Sequence, residues 1–125
     1  MKEGEIYIET LQSGEIKTRS RSGCRCYIKN GIYHVLFTID DDKCRISFDE
    51  EGMTYRRQGE MEYELLMSDG MESSSRINTV YGATEIHCLT HYYNMSASTD
   101  EIMLNIKYNM AEEDNEMKII IKELR

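Results

Sequence analysis

Two cysteines one residue apart are the first candidates for chemistry in this chain. Cys24 and Cys26 lie in the stretch SGCRCYIKNG, and Cys44 and Cys88 are the other two cysteines. Paired thiolates bind metals, but a structural zinc site normally has two C-x(2–4)-C pairs, and this chain has neither. Alternation along an extended chain places all four cysteines on the less polar face of their segments. The pattern therefore predicts buried core thiols and no metal site.

Other residues with catalytic or metal-binding potential lack the spacing that such chemistry needs. His87 and His91 share a predicted strand face with Glu85, but residues four apart on a strand are separated by ~13 Å, too far to chelate one ion. The serines at 73–75 have no nucleophile-elbow frame around them. Acidic runs at 40–42, 49–51 and 112–114 lack the alternation of a calcium loop, so we expect solvated hairpin turns there. The sequence therefore predicts a protein that is not an enzyme and uses no cofactor.

A group of basic residues, here called the basic stripe, is the sharpest surface feature. The basic stripe consists of Lys17, Arg19, Arg21, Arg25 and Lys29, of which the first four are the candidate contact residues. No Asp or Glu occurs from residue 17 to residue 38, although the chain contains 23 of them. One interpretation is an outer strand face that pairs with acidic neighbours such as Glu9 or Glu62, and surface charge usually does no more. The other is a surface for an anionic protein partner.

An arginine falls on the predicted inner face of a strand. In MTYRRQGEMEYELLM the odd positions share one face, which directs Arg57 inward and Arg56 to solvent. One hypothesis is a partly polar cavity in which Arg57 binds an anionic small ligand. The other residues proposed to line that cavity are Tyr55, Tyr63 and Ser22. The alternative, favoured by the cost of burying a charge, is that Arg57 pairs with an internal carboxylate and the tyrosines fill the lumen. A bulge at Gly59 would exchange the two arginines.

Length and composition limit the class of protein. The 125 residues, 40% of them hydrophobic, predict a single domain spanning residues 1–125. A net charge of −8 makes nucleic acid a poor partner. The first residues, MKEGEIYIET, contain no apolar signal-peptide core, and no apolar run approaches the ~20 residues of a membrane span. We therefore expect a cytoplasmic protein with no membrane contact, in a compartment where thiols stay reduced.

Alternation with period two extends over most of the chain and is interrupted by turn-forming residues. It predicts eight to ten strands with hairpin-length connections, which is typical of an antiparallel barrel or sandwich. One long strand is predicted to direct Ile16, Ser20, Ser22, Cys24, Cys26 and Ile28 to a common face. The segment GEMEYELLM is rich in helix formers, but its strict alternation favours a strand.

Several segments resemble one family. RRQGE (56–60), NTVYGATEI (78–86), YIKNGIYHVLF (27–37) and the closing KYNM…KIIIKEL are similar to the YwiB-like proteins, small uncharacterised bacterial proteins assigned to the calycin (lipocalin-like) β-barrels. The usual Thr-Pro-Tyr-Gly of that family is represented here by Thr79-Val80-Tyr81-Gly82, without the proline. The resemblance implies a single antiparallel, meandering β-barrel of about eight strands. It implies no activity.

Two functional hypotheses follow from these observations. The first is a barrel that binds a small, anionic ligand in its lumen. The alternative is a non-enzymatic interaction module that uses its outer face, with the basic stripe as its contact surface. A hollow lumen would favour the first hypothesis, and a dry, filled lumen would favour the second.

Overall fold

The computed structural model describes residues 2–123, and that part of the chain is all β. Its ten strands are β1 (Lys2–Gln12), β2 (Glu15–Lys29), β3 (Ile32–Ile39), β4 (Asp42–Phe48), β5 (Gly52–Gln58), β6 (Glu62–Ser68), β7 (Glu72–Thr79), β8 (Gly82–Ala97), β9 (Glu101–Met110) and β10 (Glu113–Glu123). The strand predicted in GEMEYELLM is confirmed as β6. The resemblance implied about eight strands, whereas the spacing of the turns had allowed ten.

The strands form one closed antiparallel barrel in which spatial order follows chain order. Each strand pairs with the next, and β1 also pairs with β10, so the meander closes on itself. Ile6 shows the closure, since it lies opposite Ser22 of β2 on one side and Ile121 of β10 on the other. This closure selects the barrel over the sandwich and confirms the predicted fold class.

Four of the connections are two-residue turns in which both residues have positive φ. They are residues 13–14, 30–31, 40–41 and 111–112. Asn30 and Gly31, with φ of 53° and 78°, are the residue types that favour such a turn, because its handedness matches the twist of the flanking strands. Ala111 and Glu112 adopt the same conformation, with φ of 54° and 63°, without that advantage.

Apolar side chains from the inner faces of the strands fill the barrel. Ile46, Phe48, Met67, Ile106 and Ile119 are at most 1% exposed. Side chains packed in this way leave little room for a guest molecule in the middle of the lumen. A cavity of about 270 Å³ remains at one end of the barrel, where its lining includes Val35, Phe48 and Ile121.

The cysteines lie on the predicted inner face, but the two isoleucines predicted at the ends of that face on β2 are exposed. Cys24, Cys44 and Cys88 are buried, and Cys26 packs against the core. Ile16 and Ile28 were predicted to share the core face of β2, yet they are 47% and 62% exposed. They lie near the two ends of this long strand, where the barrel provides no covering layer.

The barrel wall is uneven because its strands differ in length. β2 has 15 residues, but only residues 24–29 pair with β3. β6 and β7 are joined by two residue pairs, and residues 82–87 of β8 pair with β7 alone. The ring of paired strands is therefore closed, but several strands have only one neighbour over part of their length. The longest such segment belongs to β2.

Candidate functional site

The first nine residues of β2, here called the open edge, have a neighbour on one side only. Residues 15–23 pair with β1, and the ladder to β3 begins at Cys24 opposite Phe37. Among the described residues, none of the backbone hydrogen bonds formed outside the ladders involves this segment. The open edge therefore presents unpaired peptide groups to solvent, which makes it a template for a further strand.

A cleft opens in the wall beside the point where the pairing of β2 with β3 ends. This wall cleft has a volume of about 790 Å³. Its inner lining is apolar and includes Cys24, Phe37 and Cys44, while its outer rim carries Arg25 and Lys43. The other lining residues are Glu3, Gly4, Gly23, Leu36 and Thr38. The open edge and the wall cleft are continuous with each other at Gly23.

The basic stripe lies on the outer face of the open edge and just beyond it. Arg21 Nη2 is 2.8 Å from Glu5 Oε2, and Arg19 Nε is 3.4 Å from Glu9 Oε2. Both contacts run across to β1, so the expected pairing with Glu9 is confirmed. Glu62 is not involved, because it lies opposite Asn78 on another part of the barrel. The side chains of Arg19 and Arg21 nevertheless remain 60% and 72% exposed.

Arg57 points into the barrel, as predicted, and pairs with Asp42. Its Nε donates to Asp42 Oδ2 at 2.8 Å, and the two side chains are only 17% and 6% exposed. Asp42 Oδ1 also accepts the backbone N–H of Glu60 at 3.1 Å. Arg56 faces outward opposite Glu64, so the two arginines are not exchanged. The alternative with an internal carboxylate therefore describes this site.

The protonation of both groups follows from this contact. The hydrogen bond from Arg57 lowers the pKa of Asp42 against the opposing effect of burial. Burial lowers the pKa of Arg57, but hydrogen bonds with Asp42 and Tyr63 outweigh it and leave that pKa raised. Both groups therefore stay charged at neutral pH and neutralise each other, which weakens the attraction of this site for an anionic ligand.

Asp42 corrects the prediction of a solvated turn at residues 40–42. Only Asp40 and Asp41 form the turn, whereas Asp42 begins β4 and is 4% exposed. Its direction follows from alternation, because Asp42 is two residues before the buried Cys44. A Cβ atom added to Gly59 would overlap the carboxylate of Asp42, so the absence of a side chain at Gly59 lets the two segments approach.

The remaining residues of the predicted cavity are only partly brought together. Tyr55 is buried, and its ring centroid lies 5.7 Å from that of Tyr63. Burial is the main cause that raises the pKa of Tyr55, so its phenol is neutral at pH 7. Ser22 belongs to β2, three strands away from β5, and its hydroxyl donates to the carbonyl of Gly23. Ligand binding by this set stays a prediction.

The other candidates for chemistry have structural roles or lie at the surface. His87 and His91 are exposed, and a bulge between Thr90 and Tyr92 places His91 out of the regular alternation. Ser74 donates to Glu85 at 2.7 Å. Within residues 2–123, no three His, Cys, Asp or Glu side chains form a group that could hold a metal ion. The same part of the chain contains no helix able to cross a membrane.

The buried thiols are poorly suited to nucleophilic chemistry. The Sγ atoms of Cys24 and Cys26 are 3.8 Å apart, and the hydrogen bond between them is the main cause that raises the pKa of Cys24. Burial raises the pKa of Cys44 and of Cys88. Because the thiolate is the reactive form, thiols that stay protonated at neutral pH react slowly.

Comparison with known proteins identifies a family and a fold. A family model described as "Domain of unknown function (DUF1934)" matches residues 6–121. The crystal structure of the ywiB protein from Bacillus subtilis superimposes with a TM-score of 0.87 at 14% sequence identity, covering 99% of this chain and 93% of that one. No curated protein is significantly similar to the chain. The predicted resemblance to the YwiB-like proteins is confirmed, and at this identity the structural match establishes the fold alone.

Proposed function

The chain belongs to the DUF1934 family of domains of unknown function, and from that premise we propose that it is a non-enzymatic binding module for an extended segment of a partner protein. The segment adds to the barrel as a further strand along the open edge of β2. The observation that carries this proposal is the run of nine residues, 15–23, that pairs with β1 and with no second strand.

Strand addition uses groups that the open edge already presents. An extended peptide exchanges hydrogen bonds with the free N–H and C=O groups of the edge, and pockets for alternate side chains provide selectivity. Each such hydrogen bond contributes about 0.5–1.5 kcal/mol net of the water it displaces. Four or five of them, with the side-chain contacts between them, offset the cost of ordering a short peptide.

The state of the lumen supports an outer-surface function over the lumen-ligand hypothesis. Ile46, Ile106 and Ile119 pack the middle of the lumen, where the predicted anion site would lie, and Asp42 already satisfies Arg57. The wall cleft, by contrast, is open to solvent and borders the unpaired segment of β2. Unpaired peptide groups and side-chain room therefore occur at the same place on the outside of the barrel.

We place this function in the cytoplasm. Cys44 and Cys88 are buried thiols, and the sulfur atoms of Cys24 and Cys26 are 3.8 Å apart, beyond the length of a disulfide bond. Neighbouring cysteines that are not oxidised to a disulfide are typical of a reducing compartment.

A proline on the open edge tests the proposal. Lys29 and Ile32 flank the tight β2–β3 turn as a hydrogen-bonded pair in such hairpins, and the direction of peptide groups alternates along a strand. We therefore expect the amides of Arg19, Arg21 and Gly23 to face the open edge. Gly23→Pro removes one of these donors, and Gly23→Ala keeps it. A Cβ at this position meets no atom within 4 Å, so the alanine variant is a matched control.

The measurement is the affinity of peptides selected from a displayed random library on the wild-type protein. We expect Gly23→Pro to bind these peptides roughly tenfold or more weakly. Proline has no N–H to donate to the peptide, and its ring keeps the peptide backbone away from the edge. Gly23→Ala should bind like the wild type. A library that yields no binder, or binders that tolerate Gly23→Pro as well as Gly23→Ala, would show that the open edge does not bind peptides.

A further inference from the structure

We infer that the partner segment alternates acidic and apolar residues, with carboxylates facing Arg19 and Arg21 and apolar side chains facing inward. This inference rests on the proposed function, because it specifies the partner of the open edge. Its evidence is the charge of the two sides of β2, the side chains on the inner face of the open edge, and the chemistry of the strand that β2 already binds.

On the outer face of the barrel, β2 has the acidic side chains of β1 on one side. On its other side the open edge has no neighbouring strand. Glu5 and Glu9 of β1 contact Arg21 and Arg19. Each guanidinium has five N–H donors, and the two side chains stay largely exposed after these contacts. A strand added at the open edge would place its outward side chains directly beside the same arginines. Carboxylates at those positions would continue the order acidic, basic, acidic across three strands.

β1 itself shows which strand chemistry pairs with this part of β2. Its central residues are Glu5, Ile6, Tyr7, Ile8 and Glu9, in which Ile6 and Ile8 are buried and the two glutamates face outward. On its covered side β2 is therefore matched by a strand with isoleucines inside and two carboxylates outside, separated by Tyr7 opposite Arg21. The open side of the same strand presents the same arginines to a second neighbour.

The inner face of the open edge has room for apolar side chains. Ser20 and Ser22 are small and only half-buried, and the wall cleft adds the apolar surface of Phe37 at the end of the open edge, opposite Cys24. A guest strand would direct every second side chain to this inner side. Apolar residues there would cover surface that the barrel leaves incomplete at this point.

The charges also define what the open edge excludes. A second copy of this chain pairing through its own β2 would place arginines against arginines, which disfavours such a dimer. Asp40 and Asp41 form the turn after β3, beyond the point where β2 separates from it. Their carboxylates disfavour guest carboxylates beyond Gly23, so the carboxylates of the guest are expected opposite Arg19 and Arg21.

The test uses labelled synthetic peptides with the sequence of residues 3–11 of this chain, EGEIYIETL, and two altered forms. In one altered peptide all three glutamates are replaced by lysine. In the other both isoleucines are replaced by serine. Fluorescence anisotropy at low salt gives the affinities for the wild-type protein. We expect each altered peptide to bind roughly tenfold or more weakly than the parent, and the parent to weaken as salt rises.

Charge reversal on the protein completes the test. Arg19→Glu combined with Arg21→Glu should favour the lysine peptide over the parent, whereas Arg56→Glu, on an outer face three strands away, should leave the wild-type order unchanged. Loss of parent-peptide binding in Gly23→Pro distinguishes addition at the edge from displacement of β1. Peptides that bind with no preference for charge or for isoleucine would overturn this inference and leave the proposed function intact. If neither the synthetic peptides nor any library-selected peptide binds, the inference and the proposed function are both wrong.

Discussion

At the scale of single residues, the pair of Arg57 and Asp42 is the most demanding feature of the barrel. Both side chains are largely withdrawn from water, and the 2.8 Å hydrogen bond between them compensates for that loss of hydration. A buried ion pair of this kind is weak evidence of added stability, but removal of one partner leaves an uncompensated charge. The pair therefore constrains β4 and β5 more than it attracts a ligand.

Removal of the cation should destabilise the barrel. We expect Arg57→Met to lower the melting temperature by roughly 5–10 °C, because Asp42 is left charged without its partner. Arg56→Met should change it by about 2 °C or less, because Arg56 is exposed and its contact with Glu64 is long. Differential scanning calorimetry measures both. The double variant Asp42→Asn with Arg57→Met should recover part of the loss, and equal effects of the two single arginine variants would contradict this role.

The same pair predicts a dependence of stability on acid. Arg57 lowers the folded-state pKa of Asp42 below its ordinary value near 3.8, so the stabilisation by this carboxylate is complete above about pH 4. It is lost as pH falls through the lowered pKa. The difference in melting temperature between wild type and Arg57→Met should therefore narrow as the pH is lowered below about 4. A difference that stays constant from pH 7 to pH 3 would show that the ion pair is not its cause.

At the scale of elements, alternation predicted the faces of the strands but not the extent of their pairing. β4 illustrates the success, since Cys44, Ile46 and Phe48 are all buried on the predicted face. β2 illustrates the limit, because its pattern continues to Ile16 while pairing with β3 stops at Cys24. Where a strand loses its neighbour depends on the length of that neighbour, which the strand's own residues do not encode.

Two further features of the structure were not predicted from the sequence, for related reasons. The bulge at His91 inserts one residue into β8, and no glycine or proline in the sequence marks it. Asp42 was grouped with the turn because three aspartates are consecutive, although alternation from Cys44 places it inside. The candidate site was therefore predictable in the direction of Arg57 and in the basic stripe, whereas the open edge and the wall cleft required the register of several strands.

The turns supply a prediction at this scale. Ala111 and Glu112 hold a conformation that Asn and Gly adopt at lower cost. We expect the double substitution Ala111→Asn with Glu112→Gly to raise the melting temperature by roughly 3–6 °C. The reciprocal change at the β2–β3 turn, Asn30→Ala with Gly31→Glu, should lower it by a similar amount. A first variant no more stable than the wild type would show that the turn is not strained.

At the scale of the whole molecule, the barrel combines a closed, packed core with a nine-residue segment of β2 that pairs on one side only. Closure removes most edges that could bind another chain, and the packed lumen holds the strands in place. In the proposed function, the basic stripe disfavours pairing of the open edge with its own copy and leaves the edge available to an acidic segment. The proposal thus assigns binding to one edge of a closed barrel and requires no catalytic group.

Hydrogen exchange of the β2 amides, measured by NMR on the unbound protein and on its complex with the parent peptide, tests this account most directly. In the unbound protein we expect the amides of Arg19, Arg21 and Gly23 to exchange roughly a hundredfold faster than those of Ser20 and Ser22, which face β1. In the complex the first three should become as slow as the other two. Equal protection of both sets in the unbound protein, or no slowing of Arg19, Arg21 and Gly23 when the peptide binds, would contradict the open edge as the binding site.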